Sequence, residues 1–466
     1  MGQKKQPSTA DPIPEPKKRR RVGFTAVDAG VEANDCIKIF LVSSKEEVGT
    51  SNGYCISPVD LDSFFGEDGK IYGYQGLKIT VWISIISFHA YADISFDSTC
   101  DGGKGITDLK PALQSIFGET LVETKDDLLQ TFSTESHFLS SVVSNGEKLQ
   151  YKAFREDINH NCSPEATASD VEVVRMVVGN SAAGHLYSRL VPLVLLLVDG
   201  SNPIDVTDPS WELYLLIQKN RDQPTTQNLL LGFAAAYRFY HYPDSSRLRL
   251  SQILVLPPYQ HKGYGGYLVE VLSNIAISEN VYDLTVEEPL DYFQHVRTCV
   301  DMKHLLAFNP VQEAVKSTVL QLKTGKLSKK SHTPRFMPPS DVVDNVRKSL
   351  KINKKQFLQC WEILVYLGLD PVDKYMEDYL TIISKRVKAD ILGKDSEIAG
   401  KQVIQVPSVH DEEVSFVMFR SRNGAATGVQ MDKDQTKTQE EQLQQLVDER
   451  IKEIKLIAEK VSQQRV

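Results

Sequence analysis

Ile253-Leu-Val-Leu-Pro-Pro-Tyr-Gln260-His-Lys-Gly263-Tyr-Gly265-Gly266 decides how this chain folds. Four aliphatic residues form a strand, two prolines stop it, and three glycines then open a helix with Tyr264, Leu268, Val271, Leu272 and Ile275 on one face. A strand passing through a glycine-rich turn into a helix points several backbone N–H groups at one spot. The positive end of the helix dipole adds to them, so a pyrophosphate fits there. Upstream, residues 211–218, 229–237 and 247–256 are rich in aromatic and aliphatic side chains and separated by turn chemistry such as Tyr242-Pro243-Asp244. Downstream, strand period returns over 281–287 and puts Asp283, Thr285 and Glu287 on one face, with Tyr282, Leu284 and Val286 on the other. The glycine spacing is Q-x-x-G-x-G-G behind an antiparallel meander. A dinucleotide fold would place G-x-G-x-x-G after the first strand of an alternating βα series.

Residues 35–96 alternate apolar and polar, most clearly over 77–87 (LKITVWISIIS), a strand flanked by the glycine-bearing turn 66–76. Asp101-Gly-Gly-Lys-Gly-Ile-Thr107 lacks the G-x-x-x-x-G-K-[ST] spacing of a phosphate loop and reads as a turn. Past Pro310 the chain is helical, with Ser340-Asp341 expected to cap one helix and Asn353 another that lines up Phe357, Trp361, Leu364 and Leu367. A longer helical segment covers 371–392, and the lysine-rich stretch 323–339 reads as a solvated loop. Val414 to Met418 reads as a short strand. In the last segment Val447, Ile451, Ile454, Ala458 and Val461 repeat at helical spacing, which suits a partner helix, a tail packed on its own domain or a free charged helix. The expected class is α+β. Its parts are a disordered basic arm (1–34), an N-terminal α/β domain (35–190), a central domain with a mixed, mostly antiparallel sheet (191–309), a helical C-terminal domain (310–395), a linker with a short strand (396–438) and an amphipathic helix (439–466).

Lysine plus arginine number 53 against 61 for aspartate plus glutamate, a net charge of −8 that disfavours nucleic acid as direct partner. A cationic partner is favoured, although an acidic balance also keeps a protein soluble. The six cysteines are scattered, without C-x-x-C pairs or histidines at zinc spacing, so they read as reduced thiols and no metal is expected. The most apolar run, 191–198, is far short of the roughly 20 residues that cross a bilayer, and no membrane association is expected. Pro16-Lys17-Lys18-Arg19-Arg20-Arg21-Val22 resembles a monopartite nuclear import signal, whose successive cations would enter acidic pockets of importin. Access to the nucleus, with residence in the cytoplasm, is the expectation; a solvated charge run is the alternative.

The strand, turn and helix around Gln260-x-x-Gly263-x-Gly265-Gly266 resemble the pyrophosphate motif of the GNAT acetyltransferases. Leu250 to Gln260, Asp283-Leu-Thr-Val-Glu-Glu-Pro289, Phe65-Gly-Glu-Asp68 with Gly73 to Lys78, and Lys351-Ile-Asn-Lys-Lys355 with Trp361 to Leu364 together resemble one family. It is the type B histone acetyltransferase catalytic subunit, in a plant-like form, and the resemblance runs from about Asp35 to Leu392. It implies a GNAT fold, acetyl-CoA as cosubstrate, the tail of free, newly made histone H4 (with H3) as substrate and a WD40-repeat histone chaperone as partner. Cofactor contacts would fall on Ile253, Leu254, Val255 and on Gln260, His261, Lys262, Gly263, Tyr264, Gly265 and Gly266. Tail contacts would fall on Glu67, Asp68 and Gly69 and on Tyr237, Arg238 and Phe239.

A lysine amine has a pKa near 10.4 and is protonated at neutral pH, so acyl transfer to it needs a base. Glu287 closes a strand beside the cofactor strand, where partial desolvation would suit a carboxylate to that task. The resemblance gives this role to Glu287, with help from Glu288 and Asp199, where relatives commonly carry Asp and Glu respectively. Another GNAT acetyltransferase for a different protein lysine or amine, and a catalytically idle histone-binding scaffold, remain the alternatives.

Overall fold

The computed structural model describes residues 29–66, 68–154, 169–179, 181–219, 228–324, 336–369, 373–392 and 433–463. The basic block 17–21, Glu67, the strand expected at 414–418 and most of the lysine-rich stretch lie outside them. The chain divides into two compact units, Met1–Thr134 with Val191–Asp199, and Glu135–Leu190 with Gly200–Val466.

In the first unit, β1 (Ile37–Val42), β2 (Tyr54–Ile56), β3 (Lys78–Ser84), β4 (Ala90–Ser95) and β5 (Leu121–Val122) form a sheet in the order β2-β1-β3-β4-β5. Two helices flank β5 in sequence, α1 (Leu109–Phe117), capped by the Asp108 side chain on Lys110 N–H, and α2 (Lys125–Thr134). Leu128 and Phe132 of α2 pack with Phe40, Val42, Val48 and Trp82. The strand expected at 77–87 is β3. The expected turn 66–76 is more ordered than its glycines suggest, because Lys70–Ile71 pairs with Val31–Glu32 and Tyr74–Gln75 with Ser98–Thr99. At 101–107 the Asp101 carboxylate accepts from the N–H groups of Gly103 (2.8 Å) and Gly105 (3.0 Å). Those amides serve the chain's own turn, as the spacing implied.

In the second unit, β6 (Glu147–Phe154), β7 (Ser169–Val177), β8 (Trp211–Lys219), β9 (Leu229–His241), β10 (Ser245–Val255) and β11 (Leu284–Val286) pair in chain order. All neighbours are antiparallel except β10 and β11, which run parallel. Two of these strands come from the stretch that the sequence boundaries put in the N-terminal domain. Helix α3 (Ser181–Leu197), whose residues through Leu190 belong to this unit, lies on one face, where the Tyr187 hydroxyl donates to Gln252 Oε1 (2.9 Å). Helix α4 (Tyr264–Ser278) lies on the other, its Tyr264, Leu268, Val271, Leu272 and Ile275 packed with Tyr214, Leu216, Ala234, Ala236 and Leu250. With both faces covered, the middles of β8 (213–217) and β9 (230–236) are buried and carry no charged residue. The strand expected over 281–287 is only Leu284–Val286.

Helices α5 (Asp291–Ala307), α6 (Asn309–Thr324), α7 (Ser340–Leu350), α8 (Lys354–Gly368), α9 (Asp373–Leu392) and α10 (Lys433–Gln463) share a separate core around Met302, Phe357, Trp361, Tyr379, Ile383 and Ile457. Asn353 caps α8 by accepting from Gln356 N–H (2.9 Å). Ser340 does not cap α7; it is already helical, the cap position is Pro339 and no side chain bonds there. Proline fixes the entry and leaves the serine inside the first turn. Of the three readings of the last helix, packing on its own unit is the one found, with Val447, Ile454, Ile457, Ala458 and Val461 buried. Glu362 on α8 is fully buried and takes Arg386 from α9 and Arg450 from α10, the latter at 2.6 Å.

Candidate active site

The motif turn is built for an anion. Strand β10 ends at Val255, a short turn covers Pro257–Tyr259, and α4 starts behind Gly263, whose φ of 85° is the left-handed region that favours glycine. No side chain caps α4 and no acid sits in its first turn. The first bond inside the helix runs from Tyr267 N–H to Gly263 O (3.1 Å), so the N–H groups of Tyr264, Gly265 and Gly266 have no partner within the helix. A Cβ placed on Gly263, Gly265 or Gly266 meets no protein atom closer than 3.8 Å. Protein packing therefore does not require these positions to be bare, whereas a phosphate resting on the backbone would. Gln260 Nε2 donates to Val255 O (2.9 Å) and ties the turn to the strand end. His261 has a φ of 62°, a second left-handed residue within the turn, and Lys262 follows it. Phe154 from β6 packs edge-on against Tyr264 (4.7 Å) and Tyr267 (5.5 Å), a contact the motif did not reveal.

Beside the turn the sheet forks. Leu248 N–H donates to Asp283 O (3.1 Å) and Glu287 N–H to Leu250 O (2.9 Å), but β11 stops at Val286 while β10 continues to Val255. Leu256 N–H donates to Leu231 O (2.9 Å) on the β9 side. By alternation the main-chain groups of Val255 and Ile253 turn toward the side that β11 has left, and those of Leu254 toward β9. An extended ligand rich in amides can join that edge as a strand would. The edge and the turn suit the two halves of acetyl-CoA, its pantetheine amides and its pyrophosphate.

Glu287 stands where the strands part. Val286 packs toward α4, so Glu287 faces the opposite side, where Arg249 and Thr285 are register partners. It accepts a hydrogen bond from the Ser251 hydroxyl. The expected partial desolvation is not found: Glu287 is exposed, because β11 ends before covering it. Asp283 is instead buried and paired with Arg247 (2.7 Å), which commits it to holding the strands together. Glu288 is exposed with a φ of 36°, a backbone conformation costly for a residue with a Cβ. Asp199 is exposed in the turn after α3, in the first unit.

The expected triplet on β9 is split by strand alternation. The Tyr237 and Phe239 rings lie 4.5 Å apart on one face, with Trp211 at 4.9 Å from Tyr237 and the Arg249 guanidinium 4.6 Å over Phe239. Arg238 points to the α4 face, where it binds Glu212 (2.9 Å) and Glu279 (2.7 Å). Its side chain therefore cannot belong to the aromatic wall. Burial alone would raise the Glu212 carboxyl, but the bonds from Arg238 and Tyr214 and the charge of Arg175 hold it below the usual carboxylate range. Asp208, bonded by Tyr237, adds an acid to the aromatic face. Trp211 and Arg249 were missed because only the register brings them to Tyr237, and Asp208 because it sits in the turn before β8. In the first unit Asp68 is exposed, accepts from the Tyr72 hydroxyl and lies 3.6 Å from Lys104. The bond from Tyr72 holds its carboxyl below the ordinary value. Gly69 is buried with a φ of 67°, and Phe65, Asp68, Tyr72 and Asp108 line an open groove.

Comparison with known proteins agrees with this geometry. Residues 29–199 match the family described as histone acetyl transferase HAT1 N-terminus, and residues 205–294 match the acetyltransferase (GNAT) family. A histone acetyltransferase type B catalytic subunit of Arabidopsis thaliana is 60% identical, the alignment covering 98% of each chain. One of Zea mays is 50% identical over 96% of this chain and 94% of its own. One of Dictyostelium discoideum is 26% identical over 77% of this chain and 69% of its own. With two family matches that together span the α+β unit and the forked sheet, and relatives that align end to end, this chain belongs to the histone acetyltransferase type B catalytic subunits.

Proposed function

We propose that the enzyme transfers acetyl from acetyl-CoA to lysines in the N-terminal tail of free, newly made histone H4, by direct attack, with Glu287 as general base. The observation that carries this reading is the fork between β10 and β11, with an open strand edge and a capless helix on one side and a carboxylate at its base. Main-chain groups of Ile253 and Val255 hold the pantetheine amides, and the N–H groups from Tyr264 to Gly266, with Gln260, His261, Lys262 and Gly263 shaping the turn, hold the pyrophosphate. Bound there, acetyl-CoA supplies an activated acetyl thioester. Glu287 removes the proton from the lysine ammonium, directly or through a water, so that a neutral amine is present at the fork. An N–H on the β10 edge stabilises charge developing on the thioester oxygen. Tyr237, Phe239 and Trp211 flank the tail, with Asp208 answering its positive charge; in the first unit Glu67, Asp68 and Gly69 are a separate candidate contact, the two acids supplying its charge. Glu288 serves as a secondary acid.

The tail is presented by a WD40-repeat histone chaperone, and importin takes up Lys17 to Arg21, so the enzyme works in the cytoplasm and the nucleus. Glu287→Gln tests the chemistry. Turnover of an H4-tail peptide should fall about 100- to 10,000-fold at neutral pH with acetyl-CoA binding retained, and recover in part at alkaline pH as free lysine deprotonates. Near-normal turnover in the variant would remove Glu287 from the role. Faster acetylation of small amines than of the H4 tail would give the fork to a different substrate, and failure to bind acetyl-CoA would leave a histone-binding scaffold.

A further inference from the structure

Strand β10 carries one residue more than its partner at the fork. Ala236 pairs with Leu250 and Ala235 with Gln252, so Ser251 stands opposite no residue of β9. The side chains record the same slip. Leu250 packs into the core under α4, whereas Gln252 bonds Tyr187 of α3 on the opposite face, although residues two apart in an unbroken strand share a face. Such a bulge bends a strand and re-aims a side chain, and bulges concentrate beside active sites. Here it sits at the last rung shared with β11, the bond from Glu287 N–H to Leu250 O. The side chain it re-aims is Ser251, whose hydroxyl donates to Glu287 Oε2.

We infer that Ser251 is a positioning residue for the Glu287 carboxylate, set by the β10 bulge to hold Oε2 so that Oε1 remains for the substrate amine. Glu287 needs such a hold. It is exposed and lies beyond the last residue of β11, so its main chain is anchored through the bond to Leu250 O while its side chain reaches into solvent. Among the described contacts, the serine hydroxyl is the one side-chain group bonded to it. A carboxylate free to rotate into water spends less time within reach of the ammonium it must deprotonate, and misplacement of a catalytic group by an ångström is costly.

The inference rests on Glu287 being the base, and the test separates the two. Ser251→Ala should lower kcat about tenfold on an H4-tail peptide, with the dissociation constant for acetyl-CoA unchanged by calorimetry. Ser251→Thr, which keeps the hydroxyl, should restore most of the rate. In a Glu287→Gln background Ser251→Ala should cost nothing further, because there is no base left to position. If Glu287→Gln is slow and Ser251→Ala turns over like the parent enzyme, the inference is wrong and the base stands. If Ser251→Ala loses the same factor with and without Glu287, or loses cofactor affinity, the serine acts elsewhere and the inference is equally wrong. If Glu287→Gln itself is unimpaired, the base reading fails and the positioning role goes with it.

Discussion

Replacing Gly265 should move stability and cofactor affinity in opposite directions. The residue is inside the first turn of α4, its φ is not in the left-handed region, and a Cβ there would meet Val255 Cγ2 at 3.8 Å, an ordinary contact. Gly265→Ala should therefore gain up to about 1 kcal/mol of helix stability. Gly265→Asp adds a carboxylate at the positive end of the helix, worth about 0.3–1 kcal/mol more. The same carboxylate would stand about 5 Å from a phosphate seated on the turn, where repulsion is about 1–3 kcal/mol per unit charge, or a 5- to 150-fold weaker Kd. Calorimetry with acetyl-CoA measures the loss, and thermal melting with and without cofactor measures both signs at once. At cofactor concentrations near 100 times its Kd the parent enzyme gains about 2.7 kcal/mol from binding, and Gly265→Asp should forfeit about a third to nine-tenths of that. Parental affinity in Gly265→Asp would refute the placement of pyrophosphate on this turn.

Other substitutions address the frame and the substrate face. Arg238→Met should cost about 1–3 kcal/mol, because Glu212 keeps only Arg175 as a close cation, but leave KM for the tail peptide unchanged, which steady-state kinetics beside a melting curve would show. Glu362→Gln leaves Arg386 and Arg450 without their buried anion and should cost about 3–5 kcal/mol, read as early proteolytic release of α10. Asn353→Ala removes the cap of α8 for about 1 kcal/mol, measurable as a lower melting temperature. Neutralising Lys17 to Arg21 should shift a tagged protein toward the cytoplasm at unchanged activity in vitro, and undisturbed nuclear accumulation would reject the import signal.

Much of the frame was legible because it depends on local period. Three apolar runs with turn residues between them gave the β8–β9–β10 meander, and the helical spacing after Gly263 marked α4 to within a residue. Asn353 could be read as a cap because the bond it makes spans only three residues. Ser340 misled for the same reason that makes it attractive: serine before an apolar run is a good cap, yet Pro339 had already set the helix entry one residue earlier. The strands β6 and β7 could not be assigned to the catalytic sheet, since pairing partners are chosen by tertiary contact and not by the residues of a strand alone.

The candidate site was legible as a set of residues and not as a set of faces, and the reason is parity. Tyr237, Arg238 and Phe239 are consecutive on β9, so a strand must send the arginine away from the two rings, and it does, toward Glu212 and Glu279. That takes the Arg238 guanidinium off the aromatic face, where the Arg249 guanidinium over Phe239 is the one that stays. Strict alternation also puts Asp283 on the face of Glu287, which holds, but it cannot tell that Arg247 on the preceding strand has claimed the aspartate. Alternation fails outright at Ser251, where one unpaired residue reverses the faces of everything after it on β10. Counting by twos from Leu248 would turn the amides of Leu254 into the fork; counting back from the bond of Leu256 to Leu231 turns those of Ile253 and Val255 there instead. The open edge of β10 is thus defined by the bulge, and the serine that makes the bulge is the one bonded to the glutamate at its base.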